Sequence, residues 1–421
     1  MTRSPADHRT PREIAVVGAG IVGLSAAWHL RERGCEVTVL DRTGIAAGAS
    51  WGNAGWLTPS LTVPLPHPSI LTYGLRALFD RHSPLYVPLR PRLSLMRFLL
   101  AFARHSTLRR WQMAMHAYVP LSRLALGAFE ELLDGDVRSL VKDAEPFLAS
   151  FRTSGERDTW VDGLRHVTSA GLPVTYELID RDEVHRSEPG LAATIRAAVR
   201  VHGQRYLHPP RFVAALAESL TDRGVRIETP RRVDALRDQG RAVTLRTDAG
   251  ELSYDAVVLA TGAWLPALAK PFGVRHPMHA GRGYSFSVAS EVPLQGPVYF
   301  PRQRIACSPL GDRLRVAGMM EFRRADAPLD QQRIHTLAAE AAPLLKDVDL
   351  TSRQDEWVGS RPVTGDGLPL IGPTRSPRVH VAGGHGMWGV VLGPITGKLL
   401  ADSIIEGRTR PELAPFNPLR R

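Results

Sequence analysis

The sequence predicts an α/β protein of two domains, one of which is a Rossmann-like dinucleotide-binding domain. Residues 14–41 read as a strand, a glycine-rich turn, a helix and a second strand, which is the order of a nucleotide-binding βαβ unit. Two later segments, 251–268 and 378–405, again place a glycine turn after a buried strand. A chain of 421 residues is too long for one simple core and suits two interleaved domains.

The first unit assigns a task to each of the three glycines of its turn. In "IAVVGAGIVGLSAAWHLRERGCEVTVLD", Gly18 allows a sharp turn, Gly20 lets the backbone approach a pyrophosphate, and Gly23 lets helix and strand pack closely. The start of the helix supplies free amides and the positive end of its dipole to the phosphates. Asp41, at the end of the second strand, is placed to accept the ribose hydroxyls, which argues against NADP.

The later segments favour FAD over NAD. "AVVLA" is a buried strand that ends at Thr261 and Gly262, residues 208–236 read as a helix and a strand, and residues 378–405 add a strand, a glycine turn and a helix. Domains assembled from the beginning, middle and end of a chain typically hold an extended FAD, with helix N-termini approaching it at both ends.

Composition excludes several classes of protein. The net charge is +11, but only four of the 53 basic residues are lysine, a bias typical of a GC-rich genome, and no basic motif is interleaved with aromatic residues, so no nucleic-acid partner is predicted. No stretch reads as a transmembrane helix, and the N-terminus has no apolar signal core, so we expect a cytoplasmic protein. Cys35 and Cys307 form neither a disulfide framework nor a metal motif.

Several stretches resemble the D-amino-acid-oxidase-like flavoproteins, and among them the bacterial D-amino acid dehydrogenases. The resemblance covers nearly the whole chain and is carried by these stretches: "GAGIVGLSAAWHL", "GASWGNAGWLTPS" (48–60), "RHSPLYVPL" (81–89), "GRGYSFSV" (281–288), "RIACSPLGDRLRVAGMMEF" (304–322), "GSRPVTGDGLPLIGP" (359–373) and "GGHGMWGVVLGPITG" (383–397).

The resemblance implies a discontinuous Rossmann-like FAD-binding domain and a substrate domain built on an antiparallel sheet flanked by helices. We assign 1–60, 205–270 and 355–421 to the first domain, and 61–204 and 271–354 to the second. The alternating segments at 281–288 and 304–322 are typical of sheet strands.

The resemblance also implies catalytic residues. Arg361, in the "RP" motif, is expected to clamp the substrate carboxylate, since a planar guanidinium pairs with a carboxylate through two parallel hydrogen bonds. The alternative is a structural arginine that neutralises Asp366 in the same turn. Tyr284 is either a phenol over the flavin or an aromatic residue of a half-buried strand, and Arg282 is a weaker candidate on the same strand.

The glycine-rich stretch at 383–389 is expected to meet the flavin ring. Gly384, Gly386 and Gly389 let the backbone approach, and the dipole of the following helix would stabilise negative charge on reduced flavin. His385 either hydrogen-bonds to flavin or substrate, or packs in the loop for its shape.

Ser50 and Asn53 resemble positions that touch the pyrophosphate or the flavin ring. Some relatives carry a flavin-tethering His or Cys here, so a stretch with neither predicts noncovalent FAD, and both cysteines are interpreted as structural. The predicted cofactor-binding residues are Gly18, Gly20, Ile21, Val22, Gly23, Asp41, Arg42, Ser50, Asn53, Val233, Thr261, Gly262, Gly384, Gly386, Gly389 and Val390.

Residues 92–120 leave two interpretations open. Apolar and aromatic residues alternate there with Arg97, Arg104, Arg109 and Arg110, as in a basic amphipathic face that lies on an anionic membrane. Bacterial relatives pass electrons to a membrane quinone pool, which would give such a face a purpose on the inner side of the cell membrane. The alternative is a helical cover over the substrate pocket. The electron acceptor is a quinone, a carrier protein or oxygen.

The predicted function is FAD-dependent oxidative deamination of D-amino acids to 2-oxo acids and ammonia, by hydride transfer from the α-carbon to flavin. Hydride transfer requires only a neutral amine, so no residue is assigned as a general base. One alternative is oxidation of a secondary or cyclic amine, such as a D-hydroxyproline, sarcosine or an opine, on the same fold. Another is a basic dinucleotide-binding module without catalysis.

Overall fold

The computed structural model of the protein describes residues 10–77, 85–88, 92–132 and 135–420. Residues 1–9, and positions 81–84 and 89 of the stretch at 81–89 used above, lie outside this part of the chain. The strands are β1 Glu13–Val17, β2 Glu36–Leu40, β3 Trp56–Leu57, β4 Leu85–Tyr86, β5 Val141–Asp143, β6 Leu148–Phe151, β7 Tyr176–Asp180, β8 Ala197–Val201, β9 Arg205–Leu207, β10 Arg226–Glu228, β11 Val233–Asp238, β12 Val243–Thr247, β13 Gly250–Tyr254, β14 Ala256–Leu259, β15 Met278–Ala289, β16 Val298–Phe300, β17 Ile305–Leu310, β18 Arg313–Phe322, β19 Gln354–Thr364, β20 Leu370–Pro373 and β21 Val379–Gly383.

The helices connect these strands and cover their faces. They are α1 Ile21–Glu32, α2 Pro68–Ala77, α3 Leu93–His105, α4 Leu108–Leu132, α5 Ser154–Ser169, α6 Arg181–Ser187, α7 Pro209–Asp222, α8 Leu265–Ala269, α9 Gln331–Ala341 and α10 Gly389–Glu406.

A six-stranded sheet forms the dinucleotide-binding half, in the order β10-β2-β1-β14-β21-β20. Its strands are parallel except for the antiparallel pair β20–β21. The central strands β1 and β14 are buried on both faces and therefore read as continuous apolar runs. As the sequence predicts, the sheet takes its strands from three distant segments of the chain.

Helices α1 and α10 cover one face of this sheet and run in the same direction. A Cβ on Gly393 would lie 3.5 Å from Ile21, and one on Gly397 would lie 2.6 Å from the backbone of Ser25. The two glycines therefore let the helix backbones approach closely. Because the helices are parallel, their N-termini point to the same edge of the sheet, and α10 begins one turn earlier.

The second half is built on a larger sheet with the order β19-β15-β18-β17-β16-β6-β8-β7, and β4 pairs with β18. Its pairs are antiparallel apart from β16–β6 and β18–β4. Helix α9 packs on one face, where Ile334 and Leu337 join a core with Phe286 and Val316. This α/β architecture with an antiparallel sheet is the predicted fold class.

Two of the predicted domain boundaries need correction. Strand β19 pairs with β15 along most of its length, so residues 354–364 belong to the larger sheet and not to the dinucleotide-binding half. Helix α4, assigned to the substrate domain, buries Leu121, Ala125 and Phe129 in the core that also contains residues of α1, α7 and α10. Both errors arise because strand and helix patterns do not specify the sheet that they join.

Residues 92–120 form α3 and the first half of α4. The inner face of α3 buries Leu95, Phe98 and Phe102 against Phe322 and Val363. The outer face carries exposed apolar side chains next to arginines. Within the described ranges, no helix combines the length and the hydropathy that a membrane span requires.

Candidate active site

The glycine turn after β1 joins three elements at van der Waals distance. Gly18 has φ +117°, and a Cβ at this position would lie 2.5 Å from the carbonyl oxygen of Ala260, which follows β14. A Cβ on Gly23 would lie 1.9 Å from the carbonyl oxygen of Gly18. Only glycine fits at both positions, so the turn holds β1, α1 and β14 together as a dinucleotide-binding turn requires.

Helix α1 begins with amides that no side chain of its own caps. Its N-cap residue is Gly20, and the amide of Ile21 donates a hydrogen bond to Ser50 Oγ at 3.2 Å. Ser50 is buried, so its hydroxyl lies over the first turn of the helix, where a phosphate would bind. Val22, the next residue, is half-buried.

Asp41 lies beside the same turn. Its carboxylate accepts hydrogen bonds from the amide of Ala19 at 2.9 Å and from the amides of Thr43 and Gly44 at 2.9 and 3.1 Å. These bonds hold the carboxylate at the C-terminal edge of the sheet, next to the glycine turn. We keep the ribose-binding role of Asp41 as a prediction.

Arg42 lies at the rim of this region. Its guanidinium carbon is 4.0 Å from the centroid of the Trp264 ring, and its Nη2 is 3.0 Å from Asp326 Oδ1. Trp264 also donates to Asp326, at 2.8 Å. The three side chains therefore form a small exposed cluster where the two halves of the protein meet.

Thr261 and Gly262 follow β14 at the same edge of the sheet. Thr261 Oγ1 is buried, and it has no hydrogen-bond partner among the described residues. Gly262 has φ +55°, a left-handed conformation. Val233, at the start of β11, packs in the apolar cluster that contains Val17 and Leu259. A buried hydroxyl without a partner is an atom that a polar ligand can satisfy. The groups at this edge of the sheet, from the glycine turn and Ser50 to Thr261, are here called the cradle, and they fit a dinucleotide.

The glycine-rich loop before α10 contributes the other end of the cradle. Gly384 and Gly386 have φ +76° and +57°, and the amide of Gly386 donates to the carbonyl of Pro362 at 2.9 Å. Helix α10 begins at Gly389 without a side-chain cap, and Val390 is buried behind it. The loop therefore brings the start of α10 next to the residue that follows Arg361.

A cavity of about 1180 Å³ adjoins the cradle. The segment 49–56, the cavity-side face of the larger sheet and helices α2, α3 and α5 form its walls. Gly52 and Asn53 lie in the wall, two and three residues after the phosphate-side Ser50, and the carbonyl of Gly52 accepts a hydrogen bond from Ser285 Oγ at 2.8 Å. Asn53 Oδ1 accepts from the amide of Gly55 at 2.9 Å. A ligand that extends from α1 along this segment would reach the cavity.

Arg361 lies in the cavity wall. Its Nη1 donates to the carbonyl of Met319 at 2.8 Å, and a Cβ on Gly283 would be 2.0 Å from its Nη2. Burial lowers the pKa of Arg361 to about 10. The alternative role is excluded, because Asp366 is paired with Arg420 at 2.8 Å.

Tyr284 and Arg282 do not reach the cavity. Successive residues of a strand point to opposite faces, and Gly283 and Ser285 occupy the cavity side of β15. Tyr284 is fully buried on the other side, where its hydroxyl donates to Glu321 at 2.6 Å, and burial together with this carboxylate raises its pKa. Arg282 is fully buried against the same carboxylate at 3.0 Å and is not solvated. A substrate role for Tyr284 is therefore a prediction that the structure does not support.

His385 faces the helix and not the cavity. Its Nε2 lies 3.0 Å from Thr396 Oγ1 of α10, and burial lowers its pKa to about 4. Of the two interpretations, packing in the loop is the one that the structure supports. The neighbouring Met387 and Trp388 line the cavity instead.

The sequence did not single out Trp357. It lies four residues before Arg361 on the same face of β19, and a Cβ on Gly52 would be 2.1 Å from its ring. Period-two alternation counted back from Arg361 would have indicated it. Met319 was not singled out because it contributes a backbone carbonyl, which every residue type carries.

The cysteines lie away from the cradle. Cys307 is fully buried in the core beneath the larger sheet, and burial raises the pKa of its thiol. Cys35 is buried after α1, with its Sγ 3.7 Å from the carbonyl of Pro11.

Comparison with known proteins gives consistent results. A family model described as "DAO: FAD dependent oxidoreductase" matches residues 13–403. The chain is 34% identical over 411 residues to a D-amino acid dehydrogenase of Cereibacter sphaeroides, covering 95% of this chain and 93% of that protein. It is 32% identical over 411 residues to a D-amino acid dehydrogenase of Rhizorhabdus wittichii, covering 95% and 97%. The glycine oxidase of Geobacillus kaustophilus has a similar fold, with a TM-score of 0.75, 23% identity, and coverage of 97% and 99%.

Proposed function

The chain belongs to the DAO family of FAD-dependent oxidoreductases, and from this premise we propose that it oxidises D-amino acids to 2-oxo acids and ammonia. The D configuration rests on the two dehydrogenases to which the chain is more than 30% identical. The observation that carries the proposal is Arg361, a half-buried cation in a cavity wall with one hydrogen-bond acceptor among the described residues.

Arg361 binds and orients the substrate. A guanidinium has five N–H donors, and only one of those of Arg361 is used by Met319. No acceptor among the described residues takes up the remaining donors. They can hold a carboxylate through two parallel bonds, which fixes the orientation of the α-carbon. Burial strengthens the interaction because little water competes for it.

FAD is held, in this proposal, by groups at the cradle. The amides at the start of α1, together with Ser50, would bind the pyrophosphate, and Asp41 would bind the ribose. Thr261 Oγ1 would donate a hydrogen bond to the cofactor, and Asn53 and the amides at the start of α10 would hold the ring. Bound FAD supplies the two-electron oxidant that removes a hydride from the α-carbon. FAD is bound noncovalently in this proposal, since segment 50–53 contains neither the His nor the Cys that would tether it.

The proposed reaction requires no proton transfer by a protein side chain. The ammonium group of the substrate loses a proton to water before oxidation, and the imino acid product reacts with water to give the 2-oxo acid and ammonia. The buried, neutral His385 faces Thr396, and Tyr284 is bound to Glu321, so neither serves as a base.

An anaerobic absorbance spectrum of the purified holoenzyme tests the proposal. The flavin band should bleach on addition of a mixture of D-amino acids and stay unchanged with the L-isomers. Bleaching by L-isomers, or by neither isomer, would contradict it. Bleaching by cis-4-hydroxy-D-proline alone would establish the secondary-amine alternative instead.

The acceptor side of the reaction is proposed to be a quinone at a membrane surface. Residues Leu93, Met96, Leu100, Leu108 and Met113, here called the outer apolar face, are 72, 46, 62, 43 and 63% exposed. The exposed arginines among them are Arg97, Arg104, Arg109 and Arg110. Such a face suits an anionic bilayer on the cytoplasmic side. It is compatible with the pocket-cover interpretation, because Met96 and Leu100 also line the cavity.

Sedimentation with lipid vesicles tests this contact. The holoenzyme should bind vesicles that contain phosphatidylglycerol and not pure phosphatidylcholine vesicles, and added salt should weaken binding. A Leu93→Glu, Met113→Glu double variant should lose binding, whereas the control Leu124→Glu, outside the outer apolar face, should keep it. Equal binding by the double variant would refute the contact, and oxygen or a carrier would then be the acceptor to test.

A further inference from the structure

The wall of the cavity next to Arg361 is apolar. Arg361 and Val363 share one face of β19, about 7 Å apart at the usual rise of a strand. Val363 packs with Leu95, Phe98, Phe102 and Phe322. These five residues are here called the phenylalanine cluster. The ring centroid of Phe98 lies 5.3 Å from that of Phe322 and 6.0 Å from that of Phe102. Apolar surface therefore begins within one side-chain length of the proposed carboxylate site.

In the other direction along β19, the strand approaches the segment where FAD is proposed to bind. Trp357 lies on the same face of β19 and packs on Gly52, in the segment that runs back to Ser50 and the start of α1. A substrate held at Arg361 with its α-carbon toward that segment has its side chain directed the other way. The side chain then meets Met320, Phe98 and Phe322, all of which line the cavity.

Apart from Arg361, the charged side chains of the described cavity lining lie on elements that contribute no residue to the phenylalanine cluster. Glu156 and Asp162 belong to α5, and Arg302 and Arg304 to the turn after β16. Asp162 is paired with Arg165 at 2.6 Å. In the phenylalanine cluster there is no charged side chain to meet an ionised substrate side chain, and burying an unpaired charge there is unfavourable.

We infer that the phenylalanine cluster selects D-amino acids with an extended apolar side chain, aliphatic or aromatic, over alanine and over amino acids with charged side chains. This inference rests on the proposed function, because it takes Arg361 as the carboxylate site. Each methylene removed from water should raise kcat/KM by about fourfold. D-Norleucine, which has three more methylenes than D-alanine, should therefore exceed it by at least about tenfold.

Two measurements on the holoenzyme test the inference independently. The first is kcat/KM for D-alanine, D-norvaline, D-norleucine, D-phenylalanine, D-glutamate and D-lysine. The second is calorimetric binding of the unreactive carboxylates propanoate, pentanoate and hexanoate, which needs no turnover. Both should improve with apolar length, and the charged substrates should fall below D-norleucine by at least about tenfold.

A matched pair of variants locates the effect. Leu99 lines the cavity and packs on the phenylalanine cluster. Leu99→Asp should weaken hexanoate binding and lower kcat/KM for D-norleucine by about tenfold or more, with a smaller effect on D-alanine. The control Leu124→Asp introduces the same charge at an exposed position of α4 outside the cavity lining and should behave as the parent protein.

The outcomes separate the two proposals. D-alanine turned over as well as D-norleucine, with a flat carboxylate series, overturns the inference and leaves the proposed function standing. Carboxylate affinity that rises with chain length, without flavin bleaching by any D-amino acid, refutes the proposed function and supports the apolar subsite. A Leu99→Asp protein with unchanged hexanoate affinity places the selection elsewhere and overturns the inference.

Discussion

The backbone carbonyl of Met319 accepts a hydrogen bond from Arg361 Nη1 at 2.8 Å, and Met319 has φ +65°. A left-handed conformation is uncommon for a residue other than glycine and costs about 1–3 kcal/mol. It occurs where the pairing of β15 and β18 shifts register, next to Gly283. The irregularity turns one carbonyl toward the guanidinium, while the absence of a side chain at Gly283 leaves room for it.

Arg361→Ala should lower kcat/KM by at least about a hundredfold, since two charge-assisted hydrogen bonds are worth about 1.5–3 kcal/mol each. Arg361→Lys should recover only part of this loss because an ammonium group cannot pair with both carboxylate oxygens in the same plane. Steady-state kinetics with the preferred D-amino acid measures both. An Ala variant within about threefold of the parent would exclude the carboxylate clamp.

Gly283→Ala should displace the Arg361 guanidinium without removing its charge. The new Cβ would stand 2.0 Å from Nη2, well inside contact distance. We expect KM to rise at least about tenfold and flavin content to stay full, since Gly283 lies in the larger sheet. An unchanged KM would show that the guanidinium moves freely. Gly127→Ala, at a helix position with open space around it, serves as the control.

Gly18→Ala should abolish FAD binding. The position has φ +117°, and a Cβ there would lie 2.5 Å from the Ala260 carbonyl oxygen, so the turn cannot keep its shape. The ratio of flavin to protein, measured by absorbance after addition of excess FAD, should fall to near zero. Circular dichroism of the same sample reports whether the remaining fold persists. Full flavin content in a folded variant would contradict the assignment of this turn.

Stability should fall as the pH drops from 6.5 toward 4, and His385 should account for part of the loss. Burial lowers its pKa from 6.5 to about 4, so the unfolded chain binds a proton over this range and the folded protein does not. Between pH 7.5 and pH 5 the effect amounts to about 2 kcal/mol. Urea unfolding of the parent and of His385→Asn at both pH values measures it. Equal pH slopes for the two proteins would mean that His385 does not carry this effect.

Arg420→Ala should destabilise the protein by about 3–5 kcal/mol. Asp366 is 9% exposed, its Oδ2 accepts a hydrogen bond from Arg420 Nε at 2.8 Å, and its Oδ1 lies 3.1 Å from His276 Nε2. Burial alone would raise the pKa of Asp366, but His276 and Arg420 beside the carboxylate hold it well below its usual range. Removing Arg420 leaves a buried carboxylate whose neighbours among the described residues are His276 and the amide of Leu368.

Urea denaturation at pH 7 measures this loss. The double variant Asp366→Asn, Arg420→Met should recover part of it, because no charge is then left unpaired. Arg408→Ala is the control, since its ion pair with Glu406 is exposed and should be worth less than about 1 kcal/mol. A loss of similar size in Arg408→Ala would mean that burial of the Asp366 pair is not the cause.

The sequence predicted the glycine turns well because each local pattern has one backbone solution. Gly18 and Gly386 have a positive φ, and Gly23 packs closely on the carbonyl of Gly18. The fold class followed from the same patterns. The boundary at residue 355 was wrong because a strand such as β19 has the same alternation whichever sheet it joins.

The side chains of the site were harder to predict than its backbone. Arg361 was singled out through a motif, and the structure places it in the cavity wall. The two interpretations of Tyr284 stayed open because the register of β15 cannot be counted from sequence without a reference residue. For His385 the sequence left both a ligand contact and packing in the loop open, because its partner, Thr396, lies eleven residues further on, inside a helix. Met319 contributes only a carbonyl, for which side-chain identity carries no signal.

The six-stranded sheet takes its strands from three remote parts of the chain, and this affects how the protein is made. During translation β1 and β2 emerge first, but β14 can complete its pairing only after β21 has been synthesised, nearly at the end of the described residues. The cradle runs from Gly18 to Val390, so no fragment that ends before α10 contains all of it. The yellow colour of a preparation therefore reports chains that have been synthesised past α10 and have closed the sheet.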